Sequence, residues 1–429
     1  MANLHSKSAQ TQCFQPECTT HQPWQEHLAG DIKDQLRQQI HAQITPQSRY
    51  LHELVQQTNN AVENMLHTSF EKNGLTAQLE ELYSLYKYFY DEANIAKSWR
   101  TRRYINNTGL IISPDHCTHS IKDARRVYAF TRGIDAALKK LRQQNSKTLR
   151  VAYPACGPFA PFLLPLLSYY KHTQAYTPSD LQVTLIDIQQ GAVESLQQLV
   201  NKLGIGEYIE NIVCCDAVDF HSEKPFQLIV LEALQHGFSR EGHMRLAKHF
   251  ATLLDEKGIF LPQSIVVGAA VVDAQKEYVE QWQTTETTIN PEPIPREVPR
   301  VELGEILNVN LGMLRKMKTQ QQDEFTQLYQ CNAVDIPELS PSLKRQTLII
   351  HTRIMVYENE QITEYQSGIT HPLPDLQVCI NFTPRDLKPG DLLVKSGDTL
   401  QFYYCLNGLP GFLPIALENP KNKSVLSAG

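Results

Sequence analysis

Leu149-Arg150-Val151-Ala152-Tyr153-Pro154-Ala155-Cys156-Gly157-Pro158-Phe159 is the stretch on which the fold of this chain turns. A strand-like run ends in a turn of small residues, and the apolar segment behind it can open a helix. A second strand, residues 182–186, ends in Asp187, and a third, residues 211–215, is followed by Asp216. That order is how an open α/β sheet binds a nucleoside at the carboxyl ends of its strands. Tyr153 closes the first strand, and the small residues Ala155 and Gly157 let backbone approach a ligand. The Asp187 carboxylate can accept both ribose hydroxyls, while Asp216 or the amide of Ala217 can reach an adenine edge. The turn holds one glycine where a dinucleotide fingerprint has three, so alone it is a weak signal.

Outward from this stretch, a fourth strand (residues 226–231) and a helical run (residues 191–203) repeat the alternation that builds βαβ units around a parallel sheet. Upstream, Ile32, Leu36, Ile40 and Ile44, then Leu51, Leu54, Val55, Val62, Met65, Leu66 and Phe70, keep a helical stripe as far as Asn73-Gly74. Four units follow: a polar mobile arm at 1–28, a helical accessory or lid domain at 29–108, a Rossmann-like cofactor domain at 109–263, and a β-barrel-like domain at 264–429. The last is expected to carry a helical insertion at 301–329, with Leu303, Ile306, Leu307, Leu311 and Leu314 as an apolar stripe for a partner or for its own barrel.

Composition narrows the function. The 429 residues carry 40 Lys+Arg against 46 Asp+Glu, a net charge of −6, which argues against a protein built to hold nucleic acid phosphates. The longest apolar run, residues 159–170, is short of the ~20 residues of a bilayer span and holds two prolines, so no membrane helix is expected. No apolar signal segment follows Met1, and nine cysteines, an odd number, fit a reduced cytoplasmic chain. Cys13, Cys18 and His21, and the cluster His116-Cys117-Thr118-His119, lack a second ligand pair at zinc spacing, so no metal is expected.

After the fourth strand comes Leu231-Glu232-Ala233-Leu234-Gln235-His236-Gly237-Phe238-Ser239-Arg240-Glu241, with two glutamates nine positions apart. A helical stretch and Asp255-Glu256-Lys257-Gly258-Ile259-Phe260-Leu261-Pro262 follow. With Ile121-Lys122-Asp123-Ala124-Arg125-Arg126 upstream, and residues 352–357 and 367–370 downstream, this order resembles the protein arginine methyltransferase family of class I S-adenosylmethionine-dependent enzymes. The likeness covers about residues 109 to 410. It implies S-adenosylmethionine as cofactor, Arg126 on the cofactor's carboxylate, Glu232 and Glu241 on the substrate guanidinium, and a homodimer. The family's Thr-His-Trp loop has no full counterpart; His371 of Thr370-His371-Pro372, and His236 in the glutamate loop, are the candidates for the substrate side.

Chemistry supports the glutamates independently. A guanidinium has a pKa above about 12 and no free lone pair, so a nitrogen must be made nucleophilic before it can take a methyl. Two carboxylates can clamp the planar fork, aim one nitrogen and hold positive charge away from it. The plainer reading is that Glu232 caps the next helix and Glu241 is solvated. A helical segment able to close the site favours a small guanidino substrate, free L-arginine first, as in bacterial free-arginine N-methyltransferases of natural-product pathways. An arginine-containing protein is the alternative, and a non-catalytic partner subunit the second.

Overall fold

The computed structural model describes residues 32, 33, 35–37, 46–144, 147–282, 299–339 and 346–417. The arm expected at 1–28, with Cys13, Cys18 and His21, lies outside these residues, as do Ile40 and Ile44.

Five strands form one parallel sheet: β1 (Leu149–Pro154), β2 (Leu181–Asp187), β3 (Ile209–Cys214), β4 (Phe226–Val230) and β5 (Leu254–Leu261). Their order is β3-β2-β1-β4-β5, with parallel pairing throughout. The chain builds outward from β1 on one side and returns to its other side with β4, so the sheet reverses beside β1, and Rossmann-like sheets open a ligand crevice there. The four strands seen in the sequence lie within one or two residues of the observed limits; β1, β2 and β4 are buried and apolar on both faces, while β3 is a largely uncovered edge strand.

Helices α1 (Pro46–His67) and α2 (Lys72–Glu92) precede the sheet, and α3 (Ala124–Gln144), α4 (Leu164–Thr173), α5 (Gln190–Leu203) and α6 (His243–Leu253) flank it. The turn after β1 is locked from behind by aromatics. Phe159 meets the rings of Tyr83, Tyr86 and Tyr90 of α2 at 6.4, 5.4 and 5.9 Å, and Phe162 stacks between Phe130 at 4.5 Å and Tyr153 at 5.8 Å. The aromatic run of α2 is therefore packing: Tyr86, Phe89 and Tyr90 are fully buried. These helices share one continuous apolar core with the sheet.

Beyond Pro262 the chain becomes antiparallel. β6 (Ser264–Asp273), β7 (Arg300–Asn310) and β9 (Gln346–Tyr357) form one sheet in the order β9-β6-β7, with short strands Glu360–Ile362 and Leu373–Asp375 both paired to β9. β8 (Gln327–Asp335), β10 (Thr399–Cys405) and β11 (Gly411–Leu417) form a second. The fold class is thus a Rossmann-like α/β unit preceded by helices and followed by antiparallel sheet.

The helical insertion expected at 301–329 is not there. Residues Arg300–Asn310 are strand β7, only Leu311–Lys316 is helical, and β8 follows. The β6–β7 register shifts twice, between Val267 and Gly268 and between Ala269 and Ala270, and Gly304 sits at φ +119°. Each bulge breaks the two-residue alternation, so Leu303, Ile306 and Leu307 fall at helical spacing while belonging to a strand. Ile306, Leu307 and Leu314 are buried in the chain's own core, which removes this stripe as a free partner surface. The other helical expectation also stops early: after Arg100 come the short paired strands Tyr104–Ile105 and Leu110–Ile111.

Candidate active site

A cleft opens at the carboxyl ends of β1 and β2. Ala155, Gly157, Asp187, Asp216, Ala217 and Glu241 line it together. Gly157 takes φ +68° and Ala155 φ +51°, a left-handed turn that brings backbone N–H groups round to the end of β2. The Gly157 N–H donates to Asp187 Oδ2 at 2.9 Å and the Gln189 N–H to Oδ1 at 2.8 Å. Burial lifts the Asp187 carboxyl to about 6, against the pull of those N–H bonds. Each oxygen keeps a lone pair for a further donor. Asp216 is fixed by the Val218 N–H at 3.2 Å and by Asn106 Nδ2 at 2.8 Å.

The opposite wall comes from residues the sequence did not assign to the cleft: Thr108, Leu110, Ile112 and Pro114, together with Cys117, weighed there only as part of a metal cluster. α2 braces that wall from behind: Tyr90 and Arg100 both donate to Asp115 Oδ1 at 2.9 Å. Burial pushes the Cys117 thiol well up, reinforced by Asp187, Glu241 and Glu232, so it is a neutral lining group rather than a nucleophile. Only the turn signal Asn106-Asn107-Thr108-Gly109 marks this segment in the sequence.

The glutamate loop leaves β4 and is held rigidly. Gly237, Phe238 and Arg240 all have positive φ, at +64°, +50° and +66°. The Arg240 N–H donates to the Pro410 carbonyl at 2.6 Å, and the Arg240 carbonyl accepts from the Leu110 N–H at 2.8 Å. Phe238 packs on Tyr404 at 5.2 Å. A left-handed conformation in a non-glycine residue persists only where its surroundings over-determine it.

Within the loop the two carboxylates face one cation. Arg126 Nη1 lies 3.1 Å from Glu232 Oε1, with side chains 12% and 10% exposed. Burial alone would lower the Arg126 pKa, but Glu232 and Asp123 outweigh it and hold the group charged. Burial raises the Glu232 carboxyl, with Arg126 opposing. Glu241 has no such partner: burial and then the Glu232 charge push it up to about 8. Arg126 keeps donor capacity, since its buried Nε makes no hydrogen bond and stands 3.6 Å from Asp123. Asp123, also missed in the sequence, accepts from Ser367 Oγ at 2.6 Å and from the Gly368 N–H at 3.1 Å, tying the antiparallel domain to the start of α3.

Five sequence candidates, Arg126, Tyr153, Glu232, His236 and His371, are absent from the cleft wall. Tyr153 is buried against Phe162, with the charges of Glu232 and Arg126 acting on its hydroxyl. His371 packs on Tyr365 at 5.3 Å, on the antiparallel side of the loop rather than in the cleft. His236 neighbours it electrostatically. Among the described residues no cluster of three metal-ligating side chains occurs, and no helix is long and apolar enough to cross a membrane.

No family model matches the chain, and no curated protein matches it. Two solved structures are similar at low identity. One is the Trypanosoma brucei PRMT1 enzyme-prozyme heterotetrameric complex with AdoHcy, 12% identical over 71% of this chain and 98% of that one, with a TM-score of 0.40. The other is Arabidopsis thaliana protein arginine methyltransferase 10 in an open conformation, 12% identical over 68% of this chain and 87% of that one, with a TM-score of 0.42. At this distance the functional reading has to stand on the chain's own side chains.

Proposed function

We propose that this chain is an S-adenosylmethionine-dependent N-methyltransferase acting on the guanidino group of arginine, with free L-arginine as the acceptor. One observation carries the reading. Glu241, with Glu232 beside it, opens onto the same cleft as the strand-end carboxylate Asp187, so a guanidinium site and a nucleoside site share one space.

The placement of Asp187, Asp216 and the Gly157 turn suits the cofactor class, and Arg126 Nε, buried and making no hydrogen bond, would offer a donor to an anionic group. When bound, S-adenosylmethionine supplies an electrophilic methyl on a sulfonium sulfur. Asp187 would hold the ribose hydroxyls, the Asp216–Ala217 end the adenine, and Arg126 the amino-acid carboxylate.

Glu232 and Glu241 bind the guanidinium by charge-assisted hydrogen bonds and hold its plane so that one nitrogen faces the methyl. Without a cation Glu241 is largely protonated at neutral pH; the arriving guanidinium stabilises its charged form and displaces that proton. Both carboxylates then draw positive charge toward the nitrogens they touch and leave electron density on the attacking one. Transfer would leave the electron pair of the broken methyl–sulfur bond on sulfur, and the proton lost from the methylated nitrogen would pass to the Glu241 carboxylate and on to solvent, leaving a methylguanidinium and a neutral thioether.

Free arginine is taken as the acceptor because the segment before α3, braced through Asp115 by Tyr90 and Arg100, forms one wall of the cleft, the enclosure a small substrate needs. Incubation with methyl-labelled S-adenosylmethionine and either L-arginine or an Arg/Gly-rich peptide tests the reading. Label in free arginine supports it, label only in the peptide changes the acceptor, and label in neither, with no S-adenosylhomocysteine bound by calorimetry, leaves a non-catalytic partner subunit.

A further inference from the structure

On the glutamate loop and on the antiparallel-domain segment packed against it stand three nitrogen-bearing side chains with no hydrogen-bond or ion-pair partner among the described residues: His236, Arg240 and His371. Packing brings the loop and that segment together. Gly237 sits so close to the strand after His371 that a Cβ on it would stand 2.6 Å from Leu373 Cβ. Arg240 is exposed and directly precedes Glu241, yet pairs with neither glutamate. Its backbone is fixed in the left-handed region by the bonds to Pro410 and Leu110, so the guanidinium is presented from a rigid base.

We infer that Arg240, with His236 and His371, forms a carboxylate-binding subsite that takes the α-carboxylate of a free amino-acid substrate whose guanidinium lies on Glu232 and Glu241. This rests on the guanidine-methylation reading and adds what the substrate must carry at its other end. An arginine fork matches a carboxylate bidentately, and two imidazoles add single donors. Arg240 brings the positive charge to the second site, where burial holds both imidazoles toward neutral and the Asp123 carboxylate acts on His371, and a peptide-bound arginine offers no carboxylate to it. The imidazole of His236 lies within reach of the charges of both Arg240 and His371, which agrees with the packing.

The experiment compares L-arginine with agmatine, the same guanidine without the carboxylate, in the wild-type chain and in Arg240→Gly. Glycine suits φ +66°, so this variant keeps the loop backbone; Arg240→Lys, which keeps charge but not the fork, is the second variant. The wild type is expected to favour arginine by about 10- to 100-fold in kcat/KM, the range of a charge-assisted hydrogen bond or two. Arg240→Gly is expected to raise KM for arginine by a similar factor, leave kcat nearly unchanged, and leave agmatine kinetics alone; Arg240→Lys should fall between. Equal use of both compounds by the wild type, or an equal loss on both in the variant, overturns the subsite and leaves guanidine methylation standing. Transfer to a peptide and to neither small molecule does the same. No transfer to any guanidine overturns both.

Discussion

Two buried groups of charges in this chain are wired differently. In the antiparallel domain, Glu277, Glu302 and Glu364 meet Arg300, His351 and Arg353. Arg300 pairs with Glu277 at 2.6 Å and with Glu364, His351 lies 3.2 Å from Glu302 and 3.0 Å from Glu364, and Arg353 lies 3.3 Å from Glu364. Burial would raise Glu364, but His351 and Arg300 hold it down at about 2; burial would lower His351, but its two carboxylates carry it up to about 9. Every charge there is answered. At the glutamate loop Arg126 pairs with Glu232 and Asp123, while Glu241, hydrogen-bonded by Gln235, has no cation of its own and is pushed up to about 8. A saturated network holds structure together, whereas one short of a cation is built to receive one.

The comparison can be broken most sharply at the site. Glu241→Gln or Glu232→Gln should cost about 10³-fold in kcat, the scale of removing a group that holds developing charge, with S-adenosylhomocysteine affinity retained by calorimetry. Turnover kept in both variants would remove the mechanism. Arg300→Ala should act in the opposite sense: about 3–5 kcal/mol of stability lost in denaturant titration, because Glu277 is left buried and unpaired, with kcat of the folded fraction little changed.

A smaller effect separates the two groups by pH. The folded Glu241 pKa lies above its unfolded value, so the stability it contributes is complete below about pH 4.5 and is lost as pH rises through about 8. Glu364 is depressed, so its contribution is present above about 4.5 and lost as pH falls through about 2. Glu241→Gln should therefore raise Tm by a few degrees at pH 8.5 and by little at pH 5, while Glu364→Gln lowers it at both. Scanning calorimetry at the two pH values measures this, and a pH-independent Glu241→Gln shift would contradict it.

Much of the scaffold was legible because it obeys simple periods. The apolar parallel strands, the acid after β2 and the glutamates after β4 are fixed by local pattern, and Ala155, Gly157, Asp187, Asp216, Ala217 and Glu241 do meet in one cleft. The rest depends on chain positions far apart. The wall at 108–117 takes its place from α2 packing, and the tie between Asp123 and Ser367 spans 244 positions. β7 was misread because two bulges reset its alternation. Tyr153 closes β1 with its ring on Phe162, which a strand-end pattern does not show. Nor does a sequence show that Arg126 pairs with Glu232 and leaves Glu241 without a cation of its own.

That charge deficit is the central claim, and proton release measures it. L-arginine titrated at pH 7 into the chain saturated with S-adenosylhomocysteine, in buffers of different ionisation enthalpy, should release about one proton per site in the wild type and almost none in Glu241→Gln. Binding by the wild type with no proton released, or equal release by both, would contradict it.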